Sequence, residues 1–169
     1  MSRWPLIAAG AALATGAGVF ALGRLLPLEH EVRRSLELRR PAEAVWDALT
    51  DIDRFPHWRP GLIRVERLPD EAGRTCWREY ERHGDIAYER VAATPPLRLV
   101  TAIVDPRLPF GGTWTYEVTP WPGGCTLTVV ERGEIRHPLY RVASRYLVGQ
   151  AATLERFLAA LAAHLGESR

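Results

Sequence analysis

Residues 139–167 read LYRVASRYLVGQAATLERFLAALAAHLGE. Leu139, Val142, Tyr146, Leu147, Leu154, Phe157, Leu158, Leu161 and Leu165 recur mostly at steps of three and four, the spacing of one helix face. Pro138 begins the pattern, Gly149 is placed to loosen its middle, and Gly166 suits a C-cap. A long helix with so continuous an apolar stripe must lie on something. What stands upstream decides what that is.

Six strand-like runs precede the helix: Leu62–Leu68, Thr75–Glu81, Ile86–Ala93, Leu97–Val104, Thr113–Thr119 and Thr126–Glu134. Turn formers separate them, among them residues 69–73 (PDEAG), Pro95-Pro96, Phe110-Gly111-Gly112 and Pro122-Gly123-Gly124. Short punctuated strands in succession predict an antiparallel meander. Further upstream, Val32–Arg39 alternates as a half-buried strand, with Arg34 the exception on its apolar side. Pro41 then opens a short helix with Ala44, Val45, Ala48 and Leu49 on one face. Asp51 caps a second turn, confined by Pro56 and Pro60. The order predicts an α+β fold: a curved antiparallel sheet of about seven strands wrapped around a long C-terminal helix.

The chain has 169 residues and a formal charge of +2, the size of one domain with a short appendage. Arg3 and Arg24 are the only charged residues among the first 28, so they carry the whole excess. The remainder is neutral, its arginines interleaved with acids, and no nucleic-acid partner is expected. Between these arginines, Trp4–Gly23 is uncharged and rich in Ala and Gly. Its length predicts a single-pass transmembrane-type helix, with residues 1–24 as anchor and 25–30 as tether to a domain over 31–167. The alternatives are a secretory signal cleaved near Ala21-Leu22-Gly23 and a buried helix. The membrane side and the oligomeric state stay open.

The same order of elements resembles the START-like superfamily, also called SRPBCC, in its polyketide cyclase/dehydrase branch. RRPAEAVWDALTDIDRFPHWRP (39–60) looks like its opening strand–helix–turn motif. PFGGTWTYEVTP (109–120) and GGCTLTVVERGEI (123–135) look like its last two strands, and 139–167 like its closing helix. The resemblance implies a helix-grip fold with a deep cavity between sheet and helix. It also implies an apolar ligand: members bind lipids, sterols, quinones, polyketides or plant hormones, and a minority catalyse. Some carry one N-terminal hydrophobic segment.

Strand alternation nominates the cavity wall. Trp114, Tyr116 and Val118 share a side, and Leu127, Val129 and Glu131 are the matching set on the next strand. Trp58, Trp77, Tyr88 and Tyr146 complete the candidate ligand-binding residues. Glu131 is a carboxylate among apolar neighbours; it is expected to pair with an arginine at the mouth, or else to serve as acid or base beside Tyr116 or Arg145. Phe110-Gly111-Gly112 is read as a gate loop or tight turn. The five histidines show no metal-ligand spacing, no dinucleotide loop or nucleophile motif is present, and neither metal nor cofactor is expected. Cys76 and Cys125 are expected to be unpaired. The leading expectation is a membrane-anchored domain that binds a hydrophobic small molecule or lipid without catalysis. The alternative is a cyclase or dehydratase using Glu131.

Overall fold

The computed structural model describes residues 4–82, 84–148 and 151–167. The uncharged N-terminal run forms helix α1, Trp4–Leu25. Strand β1 (Glu29–Leu38), helix α2 (Ala42–Thr50), a 3-10 turn (Ile52–Arg54) and helix α3 (Phe55–Trp58) follow. Six strands come next: β2 (Leu62–Glu71), β3 (Arg74–Glu81), β4 (Gly84–Thr94), β5 (Arg98–Ile103), β6 (Phe110–Trp121) and β7 (Gly124–Ile135). The chain closes with helix α4 (Pro138–Ala143), a π-helical segment (Ser144–Val148) and helix α5 (Ala152–His164).

The described strands form one antiparallel sheet in the order β1-β7-β6-β5-β4-β3-β2. Strands β2 to β7 are the meander that the punctuated runs predict. Strand β1 returns beside β7, so β1 and β2 lie at opposite edges. Helices α2 and α3 carry the chain from one edge to the other. Helix α5 buries Leu154, Phe157, Leu158, Leu161 and Ala162. They meet Leu38, Leu127 and Val129 of the sheet and Val45 of α2 in one core. Burying each such leucine contributes about 1.5–3 kcal/mol. Cys76 and Cys125 are buried and free.

Three sequence expectations are corrected. The long closing helix is broken: α5 has 13 residues, and the chain leaves α-geometry at Ser144. Gly149, expected to loosen the middle, lies outside the described residues. Phe110-Gly111-Gly112 is no gate loop but the start of β6, paired with Ile135, Glu134 and Gly133. Gly112 does use glycine's freedom there, with φ of 143°. Finally, among the described residues no helix is long and apolar enough to cross a membrane. Residues 4–23 are helical as expected, but Ala and Gly dilute the run's large apolar side chains.

The end of α1 is fastened to the domain. A Cβ at Gly23 would stand 2.2 Å from the Pro138 carbonyl oxygen, so only glycine permits this approach to α4. Phe20 meets His137 edge-on at 6.4 Å. Arg141 Nη1 donates to the carbonyls of Gly23 and Leu26 at 3.0 and 3.1 Å. Its Nε and Nη2 donate to the carbonyls of Ile135 and Arg136 at 2.8 and 3.0 Å. One guanidinium thus binds four backbone oxygens from two parts of the chain.

Candidate functional site

Cross-strand register decides which side chains share the concave face. Trp114 stands opposite Glu131, Tyr116 opposite Val129, and Val118 opposite Leu127. On the other side of β6, Thr101 and Leu99 of β5 stand opposite Trp114 and Tyr116. Tyr88 on β4 is opposite Trp77 on β3, and their rings stack at 5.7 Å. The expected wall is therefore assembled from four strands.

Phe157 of α5 is the hub of this wall. Its ring lies 5.6 Å from Trp58, 5.4 Å from Trp114 and 5.8 Å from Tyr116. Trp58 also meets Phe55 at 5.7 Å and stacks on His164 at 5.5 Å. It joins the core under α5 to a second cluster around Ile52, Phe55, Leu62 and Trp77. Such aromatic pairs each add about 0.5–1.5 kcal/mol beyond the area they bury.

An ion pair sits inside this apolar wall. Arg59 Nη1 donates to Glu79 Oε1 at 2.6 Å, and Glu79 is only 3% exposed. Trp77 Nε1 donates to the same oxygen at 3.0 Å. The Arg59 guanidinium lies 5.1 Å from the centre of the Phe55 ring and 5.8 Å from that of Phe157. Burial works to lower the Arg59 pKa, but the Glu79 carboxylate outweighs it and holds the guanidinium above its ordinary value. Burial pushes the hydroxyls of Tyr88 and Tyr116 well above the usual tyrosine range, so both remain neutral donors.

Three buried polar atoms have no partner among the described residues: Trp58 Nε1, Glu79 Oε2 and Glu131 Oε2. Glu131 lacks the arginine expected for it; the adjacent Arg132 points to the other face and binds Glu31 at 2.7 Å. The ionisable group beside it is His30, with Nε2 3.7 Å from Oε1. Burial raises the Glu131 carboxyl to about 7, with a Trp114 hydrogen bond opposing. Burial lowers His30.

Tyr146 does not join the wall. It is 61% exposed and takes part in no ring contact among the described residues. The half of the predicted stripe that precedes α5 also leaves Leu139 exposed. Arg59, Glu79 and His30 were not foreseen. For Glu79 the signal existed, because it lies two residues beyond Trp77 on the same strand and so shares its face.

Two clefts open where β1 begins and β7 ends. The smaller, about 230 Å³, lies between Leu26, Pro27, His30, Ile135, Arg141 and Arg145. The larger, about 630 Å³, is shallower and charged, with Glu31, Arg132, Glu134 and Arg136 in its lining. His30 borders both. Neither cleft is walled by the aromatic cluster.

The family model for polyketide cyclase / dehydrase and lipid transport matches residues 29–166. No curated protein matches. Among solved structures, the two-domain aromatase/cyclase StfQ from the steffimycin biosynthetic pathway has a TM-score of 0.66 at 17% identity. That match covers 83% of this chain and 52% of StfQ, so this chain spans about half of it. Norcoclaurine synthase from Thalictrum flavum, solved with dopamine and hydroxybenzaldehyde, has a TM-score of 0.64 at 12% identity, covering 83% of this chain and 88% of the synthase. A START superfamily protein from Mycobacterium smegmatis has a TM-score of 0.63 at 18% identity, covering 82% and 98%. At these identities the likeness is one of fold. The antiparallel sheet closed by a C-terminal helix, its aromatic concave face and the match over residues 29–166 agree: the chain belongs to the polyketide cyclase/dehydrase and lipid transport family, as a ligand-binding or cyclase-type domain.

Proposed function

We propose that this domain binds a small, ring-bearing, largely apolar molecule against the concave aromatic face, and that hydroxyl and carbonyl groups on the ligand complete the unpartnered polar atoms there. The observation that carries this reading is the set formed by Glu79 Oε2, Glu131 Oε2 and Trp58 Nε1. Buried polar groups nearly always have partners, and each one left without costs about 1–3 kcal/mol. Two acceptors and one donor along an aromatic wall suit a hydroxylated ring with a carbonyl better than an acyl chain. Flat rings also match the stacked and edge-on surfaces of Trp58, Trp77, Tyr88, Trp114 and Tyr116. The norcoclaurine synthase complex places hydroxylated aromatic molecules in a protein of the same fold.

The test is a fluorescence titration of the full chain with 2-naphthol and with naphthalene, since tryptophans line the wall. A hydrogen bond to a charged group adds about 1.5–3 kcal/mol, so 2-naphthol is expected to bind roughly tenfold more tightly or better. Equal affinities would remove the polar anchoring. Tighter binding of a fatty acid than of either ring compound would favour a lipid carrier instead.

A second reading is favoured by Glu131 itself. A carboxyl near neutrality, buried beside an imidazole, is suited to general acid–base work, which typically contributes about 10²–10⁴-fold. On this reading Glu131 exchanges a proton with the bound ligand.

A further inference from the structure

Glu131 has a neighbour from another strand that ligand binding alone does not require. His30 on β1 lies diagonally across from it, with side chains 13% and 18% exposed. The imidazole fits there because the residue opposite His30 on β7 is Gly133. A Cβ at that position would stand 2.3 Å from His30 Cε1 and 2.7 Å from Nε2. His30 borders both clefts and so reaches solvent, whereas Glu131 Oε2 is buried and unpartnered.

We infer that His30 and Glu131 form one proton-exchanging pair, in which Glu131 presents Oε2 to the ligand and His30 is a positioning residue acting through Oε1. This rests on the acid–base reading of Glu131. In the donating direction the Oε2–H bond breaks and its proton forms a new O–H bond on a ligand oxygen lone pair. The carboxylate left behind accepts a hydrogen bond from His30 Nε2–H. In the reverse direction the carboxylate takes a proton from a ligand hydroxyl, and the imidazole exchanges protons with water in the clefts. The present 3.7 Å gap is one that a small side-chain rotation closes, and catalytic hydrogen bonds often tighten only on binding.

The surroundings are compatible with a neutral pair. Arg34, on the same face of β1, is taken by Glu155 of α5 at 2.9 Å. From β6, Trp114 and Tyr116 face Glu131. Arg141 is held by four carbonyls; Arg145, Glu29 and Glu31 border the smaller cleft with His30, and Glu31 is bound by Arg132. Two groups this close titrate as a unit, with midpoints that belong to the pair.

The experiment is an NMR titration of the full chain that follows the His30 imidazole and the Glu131 carboxyl. Wild type is compared with His30→Phe, Glu131→Gln and Gly133→Ala. Removing or displacing the imidazole is expected to raise the Glu131 midpoint by about half a pH unit or more, and Glu131→Gln to move that of His30 in the opposite direction. Gly133→Ala keeps the histidine but pushes it aside, so it should reproduce the His30→Phe result. Unchanged midpoints in all three variants would overturn the pairing. Affinity for 2-naphthol is measured on the same samples. If wild type fails to bind it while the midpoints move, the ligand reading fails and the pairing stands.

Discussion

Arg59 Nη1 meets Glu79 Oε1 at 2.6 Å within the aromatic face, tying the end of α3 to the middle of β3. Because Trp77 Nε1 donates to the same oxygen, both protein donors fall on Oε1 and Oε2 has no partner among the described residues. The pair therefore does two things. It neutralises a carboxylate that is 3% exposed, and it aims that carboxylate's spare lone pairs.

Removing the cation should expose the cost of that burial. Arg59→Met is expected to destabilise the domain by about 3–5 kcal/mol, because an uncompensated carboxylate stays inside. The double variant Arg59→Met/Glu79→Gln should recover much of the loss. Glu79→Gln alone should keep the fold and weaken 2-naphthol binding by roughly tenfold. Urea unfolding of the three variants at pH 7.5 checks the first two points. A cost below about 1 kcal/mol for Arg59→Met would mean that water reaches Glu79 freely.

Glu131 makes stability depend on pH with a definite sign. Its folded pKa, about 7, lies above the ordinary carboxylate value of 4.5, so between these the folded state binds more protons than the unfolded state. Stability therefore falls as pH rises through that window, and the penalty is complete above about 7. The full penalty is of the order of 3 kcal/mol. Glu131→Gln is expected to stabilise the protein by up to that amount at pH 8 and to change little at pH 4.5. Equal effects at the two pH values would show that the carboxyl is not desolvated.

Period-two alternation is why the shared face of β6 and β7 is legible in the sequence. Once Trp114 faces inward, Tyr116 and Val118 must follow, and a matching register brings in Leu127, Val129 and Glu131. Partners from other strands are a different matter. That His30 lands beside Glu131 depends on β1 pairing with β7 in one register, and that Arg59 meets Glu79 depends on how α3 packs beside β2. Neither is encoded in local spacing. The closing helix misled for a geometric reason. A π segment takes up an extra residue per turn and rotates the stripe, so Tyr146 leaves the sheet although its spacing looks regular.

Gly112 in β6 and Gly61 just before β2 separate two effects that sequence alone merges. Gly112 has φ of 143°, and a Cβ there would lie 2.3 Å from the Arg132 carbonyl oxygen, which is backbone and cannot yield cheaply. Gly61 has φ of 88° with nothing within 4 Å of an added Cβ. Gly61→Ala is expected to cost about 1–2 kcal/mol of conformational strain alone. Gly112→Ala should cost clearly more, roughly 3–4 kcal/mol, because a clash is added to the strain. Urea midpoints of the two variants decide this. Equal costs would mean that β6 and β7 can part at Gly112 without loss.

Arg141 offers a way to separate the N-terminal helix from the domain. Its guanidinium holds the Gly23 and Leu26 carbonyls on one side and those of Ile135 and Arg136 on the other. Carbonyls at the C-terminal end of α1 lack intrahelical partners, so the cation supplies what the helix itself does not. Arg141→Ala removes these bonds while leaving the aromatic wall untouched. Hydrogen bonds to a charged group are worth about 1.5–3 kcal/mol, enough to populate a detached helix at tenfold or more above its present level. Trypsin should then cut after Arg24 about tenfold faster, whereas 2-naphthol affinity changes little. Cleavage at the wild-type rate would show that the contact of Gly23 with Pro138 is sufficient to hold α1 in place.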